Sequence, residues 1–168
     1  MSVRPCSEDD WPTLKSLRLA ALLDAPLAFG LSYAGAAAYT EAQWRERAAG
    51  RTAAEYWLAF AQDEAVGLIG GAVGADGEYQ LIAMWLRPDR RGAGIAGRLV
   101  DAVTARAAEA GHGRVVLGVA PDNDRAVALY RKHGFVFLPE WEALDSHPGI
   151  TLQKMAWRAP SVPLAPPA

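Results

Sequence analysis

The chain has 168 residues, long enough for one domain that buries its own core without disulfides or a metal site. Its 17 basic and 19 acidic side chains leave a net charge of -2, so no surplus of Lys and Arg exists to displace counterions from a phosphate backbone, and nucleic acid is not an expected partner. The lone cysteine, Cys6, excludes an intrachain disulfide framework and suits a reducing, cytoplasmic setting, while the lack of a long apolar run or a signal-peptide pattern predicts no membrane span.

Residues 3–6 read as a short strand. Ser7 followed by Asp10 has the spacing of a capping box, and Trp11, Leu14, Leu17 and Ala21 recur at helical intervals, which predicts a helix over 8–23. The Ala-, Gly- and Ser-rich stretch 24–38 predicts irregular chain. Thr40 is placed to cap a second helix reaching Ala49, with Trp44 and Ala48 inward. Residues 56–61, 65–73 and 79–86 are apolar, β-prone runs separated by turn chemistry, as in an antiparallel meander. A helix follows with Leu99, Ala102, Val103, Ala107 and Ala110 on one face, stopping at Gly111. Then come a β-branched strand at 115–119, a helix capped by Asp122, Asn123 or Asp124 and ending at His133-Gly134, and strands at 135–138 and 151–157. Residues 1–158 form one predicted domain, and the Pro-rich tail 159–168 is expected to be disordered.

The most informative stretch lies at 86–97, between a strand and a helix: Leu-Arg-Pro-Asp-Arg-Arg-Gly-Ala-Gly-Ile-Ala-Gly. Its glycines let backbone approach a ligand closely, and successive amides at a helix start form a nest for phosphate oxygens. A plain strand-to-helix turn is the simpler alternative. Read literally, 92–97 also satisfies the dinucleotide fingerprint GxGxxG. Against that stand the 70 or so residues left after it, too few for a doubly wound fold, and the five residues separating the strand from the first glycine. No acidic residue follows the next strand where a ribose would be held, since Val119 runs into Ala120-Pro121.

The loop instead resembles motif A of the GNAT acetyltransferases, [Q/R]-x-x-G-x-[G/A], here Arg91-Gly92-Ala93-Gly94-Ile95-Ala96. The same family's downstream signature is matched by Asn123, Ala126, Leu129-Tyr130 and Gly134-Phe135, and Met84-Trp85-Leu86-Arg87-Pro88 resembles its fourth strand. The resemblance is strongest over 56–138. It implies an α/β fold on a mixed, mostly antiparallel sheet whose fourth and fifth strands splay apart, flanked by helices. It also implies acetyl-CoA as co-substrate and direct transfer of the acetyl group to an amine. Met84, Trp85 and Leu86 would then offer backbone to the pantetheine arm, and Arg91, Gly92, Ala93, Gly94, Ile95, Ala96 and Gly97 would hold the pyrophosphate. A backbone amide near Leu86 would polarise the thioester carbonyl. Asn123 would cap its helix and bond the cofactor arm, and Tyr130 would protonate the departing thiolate. Direct transfer needs no protein nucleophile, so Cys6 is expected to be a small packing residue, and no metal is implied.

One role is unfilled by the resemblance. Relatives carry a glutamate base on strand five, five residues before the asparagine, and here that position is Gly118. An amine of pKa about 10.4 must give up its proton at pH 7 against about 4.6 kcal/mol, and a positioned base typically recovers about 10²–10⁴-fold in rate. Glu78, Tyr79, Glu140 and Glu142 are candidate bases, and an acceptor that is already substantially neutral is the other route. By position the acceptor wall would be Phe29, Ser32 and Trp85, with Tyr33, Trp44 and Trp141 nearby and the loop 141–150 closing over it. Aromatic walls suit a small-molecule amine. Acetylation of a protein N-terminus or lysine, and a non-catalytic acyl-CoA sensor, stand as alternatives; family members often dimerise, so a homodimer is compatible with the resemblance.

Overall fold

The computed structural model describes residues 1–160; most of the Pro-rich tail, from 161 on, lies outside the described residues. Seven strands form one sheet: β1 (Ser2–Pro5), β2 (Ala54–Ala61), β3 (Glu64–Val73), β4 (Tyr79–Leu86), β5 (Arg114–Val119), β6 (Val136–Leu144) and β7 (His147–Arg158). Their order is β1-β2-β3-β4-β5-β7-β6, antiparallel throughout except for the parallel β4–β5 pair. The helices are α1 (Trp11–Asp24), α2 (Tyr33–Ala37), α3 (Glu41–Ala48), α4 (Ile95–Glu109) and α5 (Asp124–Lys132). Among the described residues no helix is long and apolar enough to cross a membrane.

Both faces of the sheet are covered, which explains the near-continuous apolar character of β3 and β4. On one face Leu14, Leu17, Ala21 and Leu22 of α1 and Trp44 and Ala48 of α3 pack against Leu58, Leu68 and Trp85. On the other, Leu99, Val100, Val103 and Ala107 of α4 meet Trp57, Ile69, Leu81, Val115 and Leu117, with Val127 and Tyr130 of α5 beside them. Each buried Leu, Ile or Val among them contributes about 1.5–3 kcal/mol relative to exposure. The helix starts follow their sequence signals. The Ser7 amide donates to Asp10 (2.8 Å), whose carboxylate Arg4 holds with two further bonds, and Thr40 and Gln43 exchange a reciprocal pair.

Three expectations are corrected. The 8–23 helix begins with a 3-10 turn, Glu8–Asp10, before α1 starts at Trp11. The stretch 24–38 is not wholly irregular, since it holds a 3-10 turn at Pro26–Ala28 and the short α2. Strand β6 does not stop at 138 and β7 does not begin at 151: the two form a long hairpin reaching Leu144 and His147. Pro139, without an N–H, sits in the gap in register between Phe137 and Trp141, and that break hides the strand's continuation in the sequence. The expected loop over 141–150 is therefore hairpin, turning at Asp145-Ser146.

The feature that positions the site is a rupture between β4 and β5. Only Tyr79 and Gln80 pair with β5, opposite Val115 and Val116. Against β3, residues Gly70 and Leu68 oppose Ile82 and Trp85, so β4 carries an extra residue there, and Ala83 takes a positive φ of 57°. This bulge bends β4 away from β5, whose other edge stays paired with β7 as far as Val119. Residues 81–86 and 117–119 thus face each other across a gap without a shared ladder.

Candidate active site

The gap opens into a cavity of about 790 Å³. It is walled by Leu81, Ala83 and Met84 of β4, by Leu117 and Val119 of β5, and by Asn123, Ala126 and Tyr130. The segment from Asp24 to Leu31, Glu142 to Asp145 of the hairpin, and Arg18 of α1 also line it.

Two residues expected at this centre line it from the α5 side. Asn123 caps α5, its Oδ1 accepting from the Ala126 amide (3.3 Å), so the cap also fixes the helix start at the cavity wall. About two turns further on, the Tyr130 ring is buried and packs at 5.7 Å from Phe135. Burial pushes the Tyr130 phenol well above the ordinary tyrosine value, so its hydroxyl is held neutral and can donate.

The glycine loop sits at the C-terminal end of β4. Gly92 and Gly94 have φ of 88° and 83°, a conformation that glycine adopts without strain, and a Cβ at either would point into open space. Gly94 is also the N-cap residue of α4, so the amides of Ile95, Ala96 and Gly97 belong to the first turn, where helical partners are lacking. Ile95 is buried under the loop, whereas Gly92, Ala93 and Gly94 are exposed. Gly97 is glycine for a separate reason: a Cβ there would collide with the His133 ring. Arg91 does not stand free at the entrance. Its Nε donates to the Leu86 carbonyl (3.0 Å) and its Nη2 to Asp24 (3.1 Å), which ties the loop to β4 and to the end of α1.

At the acceptor wall the expectations divide. Phe29 lines the cavity. Ser32 does not: it caps α2 by accepting from the Gly35 amide (3.0 Å). Trp85 points into the α1 face, buried, with its indole N–H donating to Asp24 (3.0 Å), so its side chain is a core and clamp residue rather than a pocket wall. Those bonds from Trp85 and Arg91 hold the Asp24 carboxylate below its usual range. Trp44 is core at 2% exposure, and Tyr33 and Trp141 face solvent. Cys6 is half-buried, with burial pushing its thiol up to about 12, as befits an unreactive packing residue.

The four candidate bases also separate. Glu78 is bound to Arg114 and Tyr79 is buried in the core, pushed up to about 12. Glu140 lies 4.0 Å from Lys154. Only Glu142 reaches the cavity, and its carboxylate occupies the space over Gly118: a Cβ built on Gly118 would overlap Glu142 Oε1 and lie 3.3 Å from its Cδ. Among the described residues no donor or cation engages it. A longer side chain at 118 would displace this carboxylate. Arg18 and Asp24 were missed by the sequence reading. For Arg18 a signal existed, because it falls four residues after Leu14 and four before Leu22, on the inner face of α1.

The sequence pattern of the acetyltransferase (GNAT) family matches residues 19–135, more than half of the chain. The chain therefore belongs to the GNAT acetyltransferase family, and is an acyltransferase that takes its acetyl group from acetyl-CoA and passes it to an amine. Among curated proteins none matches it at a significant level. The fold is shared with the ribosomal-protein-alanine N-acetyltransferase of Brucella melitensis (17% identity, TM-score 0.72, covering 95% of this chain and 100% of that one). It is equally similar to yncA of Salmonella typhimurium, solved with acetyl-CoA (15%, TM-score 0.72, 98% of each chain). An aminoglycoside 6'-acetyltransferase of type Ii also superposes (20%, TM-score 0.69, 97% and 100%).

Proposed function

We propose that this enzyme acetylates a small-molecule amine by direct transfer, with both substrates held in the cavity that runs through the β4–β5 gap. The observation that carries the reading is the shape of that cavity. It opens between two unpaired strand edges, as an extended pantetheine arm requires, and its lining extends to the 24–31 segment and the β6–β7 hairpin. Lining drawn from α1, the 24–31 segment, β4, β5 and the hairpin meets an acceptor from several directions, which favours a small molecule over a polypeptide laid in an open groove.

The residues present fit acetyl-CoA, which supplies the activated acyl group when bound. The first-turn amides of α4 and the open loop Gly92–Gly94 suit a pyrophosphate. Free backbone groups of 81–86 can pair with the arm, and an amide there can donate to the carbonyl oxygen. Tyr130, on the α5 side, donates its phenolic proton to the leaving sulfur. Glu142, on the hairpin side, accepts the ammonium proton of the acceptor. Gly118 is then a vacancy that admits this carboxylate from another strand, which removes the main argument for a non-catalytic sensor.

The test is a thiol-release assay with acetyl-CoA and a panel of small amines, amino-terminal peptides and lysine peptides. Turnover of small amines well above peptides supports the reading, and peptide preference contradicts it. Glu142→Gln should lower kcat by about 10²–10⁴-fold with acetyl-CoA affinity little changed. A fully active Glu142→Gln removes Glu142 from the mechanism.

A further inference from the structure

The cavity wall includes a cation, Arg18, with a buried and unpartnered donor. Arg18 projects from the middle of α1 into its wall, with its guanidinium carbon 4.9 Å from the centre of the Phe29 ring. Its Nη1 is fully buried, without a hydrogen-bond partner. Among the described residues Arg18 forms no ion pair, although carboxylates line the same cavity. Asp24 is engaged by Trp85 and Arg91, Glu142 stands over Gly118, and Asp145 lies beside Gly30 on the hairpin turn. Burial lowers the Arg18 pKa, and the titratable groups that act on it are Tyr56 and Tyr39, with no carboxylate among them. The other cavity cation, Lys154, has Glu140 at 4.0 Å.

A guanidinium N–H removed from water and left without an acceptor destabilises the fold. Stacking on one aromatic face does not satisfy its donors, because those lie in the plane of the group. A planar two-oxygen anion does, through parallel N–H···O bonds. We propose that Arg18 is the recognition residue for a carboxylate on the acceptor, so that the preferred substrate is a carboxylate-bearing primary amine of amino-acid type. The inference rests on reading this cavity as the acceptor site. The Phe29 ring packs against the guanidinium, and Glu142 lines the same cavity for the ammonium end of a zwitterion. A highly cationic acceptor would meet Arg18 with repulsion.

The test compares matched trios in the thiol-release assay: α-, β- and γ-amino acids, their primary amides, and the corresponding decarboxylated amines. The expected result is at least a tenfold advantage in kcat/KM for the free carboxylate in the best trio. Arg18→Gln should erase that advantage by raising KM for the carboxylate form with a smaller change in kcat, and Arg18→Lys should restore it in part. Equal turnover of all three members, or an advantage that survives in a folded Arg18→Gln, overturns the proposal. If Arg18→Gln fails to fold, the wild-type comparison alone decides. If no amine of any class is acetylated by protein that binds acetyl-CoA, the acetyl-transfer reading itself fails and takes this inference with it.

Discussion

Gly94→Glu abolishes acetyl-CoA binding. Gly94 is the N-cap of α4 at φ 83°, next to first-turn amides that have no helical partner. Its Cβ position meets nothing within 4 Å, so the new side chain folds into open space instead of disrupting the core. That space is where a pyrophosphate must approach, and a carboxylate there competes for the same amides and repels the ligand. Titration calorimetry should show at least a hundredfold loss of affinity. Gly94→Ala separates strain from charge: the left-handed conformation costs alanine about 1 kcal/mol of stability, and its affinity loss should be far smaller. A folded Gly94→Glu protein with unchanged affinity would place the phosphates elsewhere.

Tyr130→Phe should lower kcat by about 10²–10⁴-fold, while acetyl-CoA affinity and melting temperature stay close to wild type. The ring provides the packing against Phe135 and the core, and phenylalanine preserves it. Only the hydroxyl is lost. The sign of the pH dependence follows from burial, which raises the phenol's pKa above its ordinary value of about 10. The proton-bearing form therefore persists through the neutral and mildly alkaline range, and ionisation of Tyr130 produces no loss of rate there. A wild-type rate falling with a midpoint near pH 8, with that limb abolished in Tyr130→Phe, would contradict this environment. Undiminished kcat in Tyr130→Phe would remove the residue from the mechanism.

Local signals carried most of the fold. Period 3.6 on α1 and α4, the apolar run of β3, the β-branched run of β5, and caps at Ser7, Thr40 and Asn123 all correspond to observed elements. What local pattern could not reveal was pairing. Pro139 interrupts β6, and only the β7 partner across the hairpin carries the strand past it. Similarly, the splay depends on a bulge at Ala83, and nothing about alanine signals a positive φ.

The candidate site divides along the same line. The glycine loop, Asn123 and Tyr130 were legible because their spacing is local. Trp85 was misplaced at the acceptor wall because the bulge changes which face each β4 residue presents. The carboxylate over Gly118 could not be read at all. It comes from position 142, two strands away in the sheet, and only tertiary structure brings it across. Arg18 was hidden by its setting: an arginine on an apolar helix face reads as a boundary residue until its Nη1 proves to be buried without a partner.

The most direct measurement is a crystal structure with acetyl-CoA and a slow or unreactive amine acceptor. The account predicts the pyrophosphate on the amides of 92–97, the pantetheine arm between β4 and β5, and the thioester between the Tyr130 hydroxyl and the Glu142 carboxylate. A cofactor bound outside the β4–β5 gap, or a thioester out of reach of both groups, would contradict it.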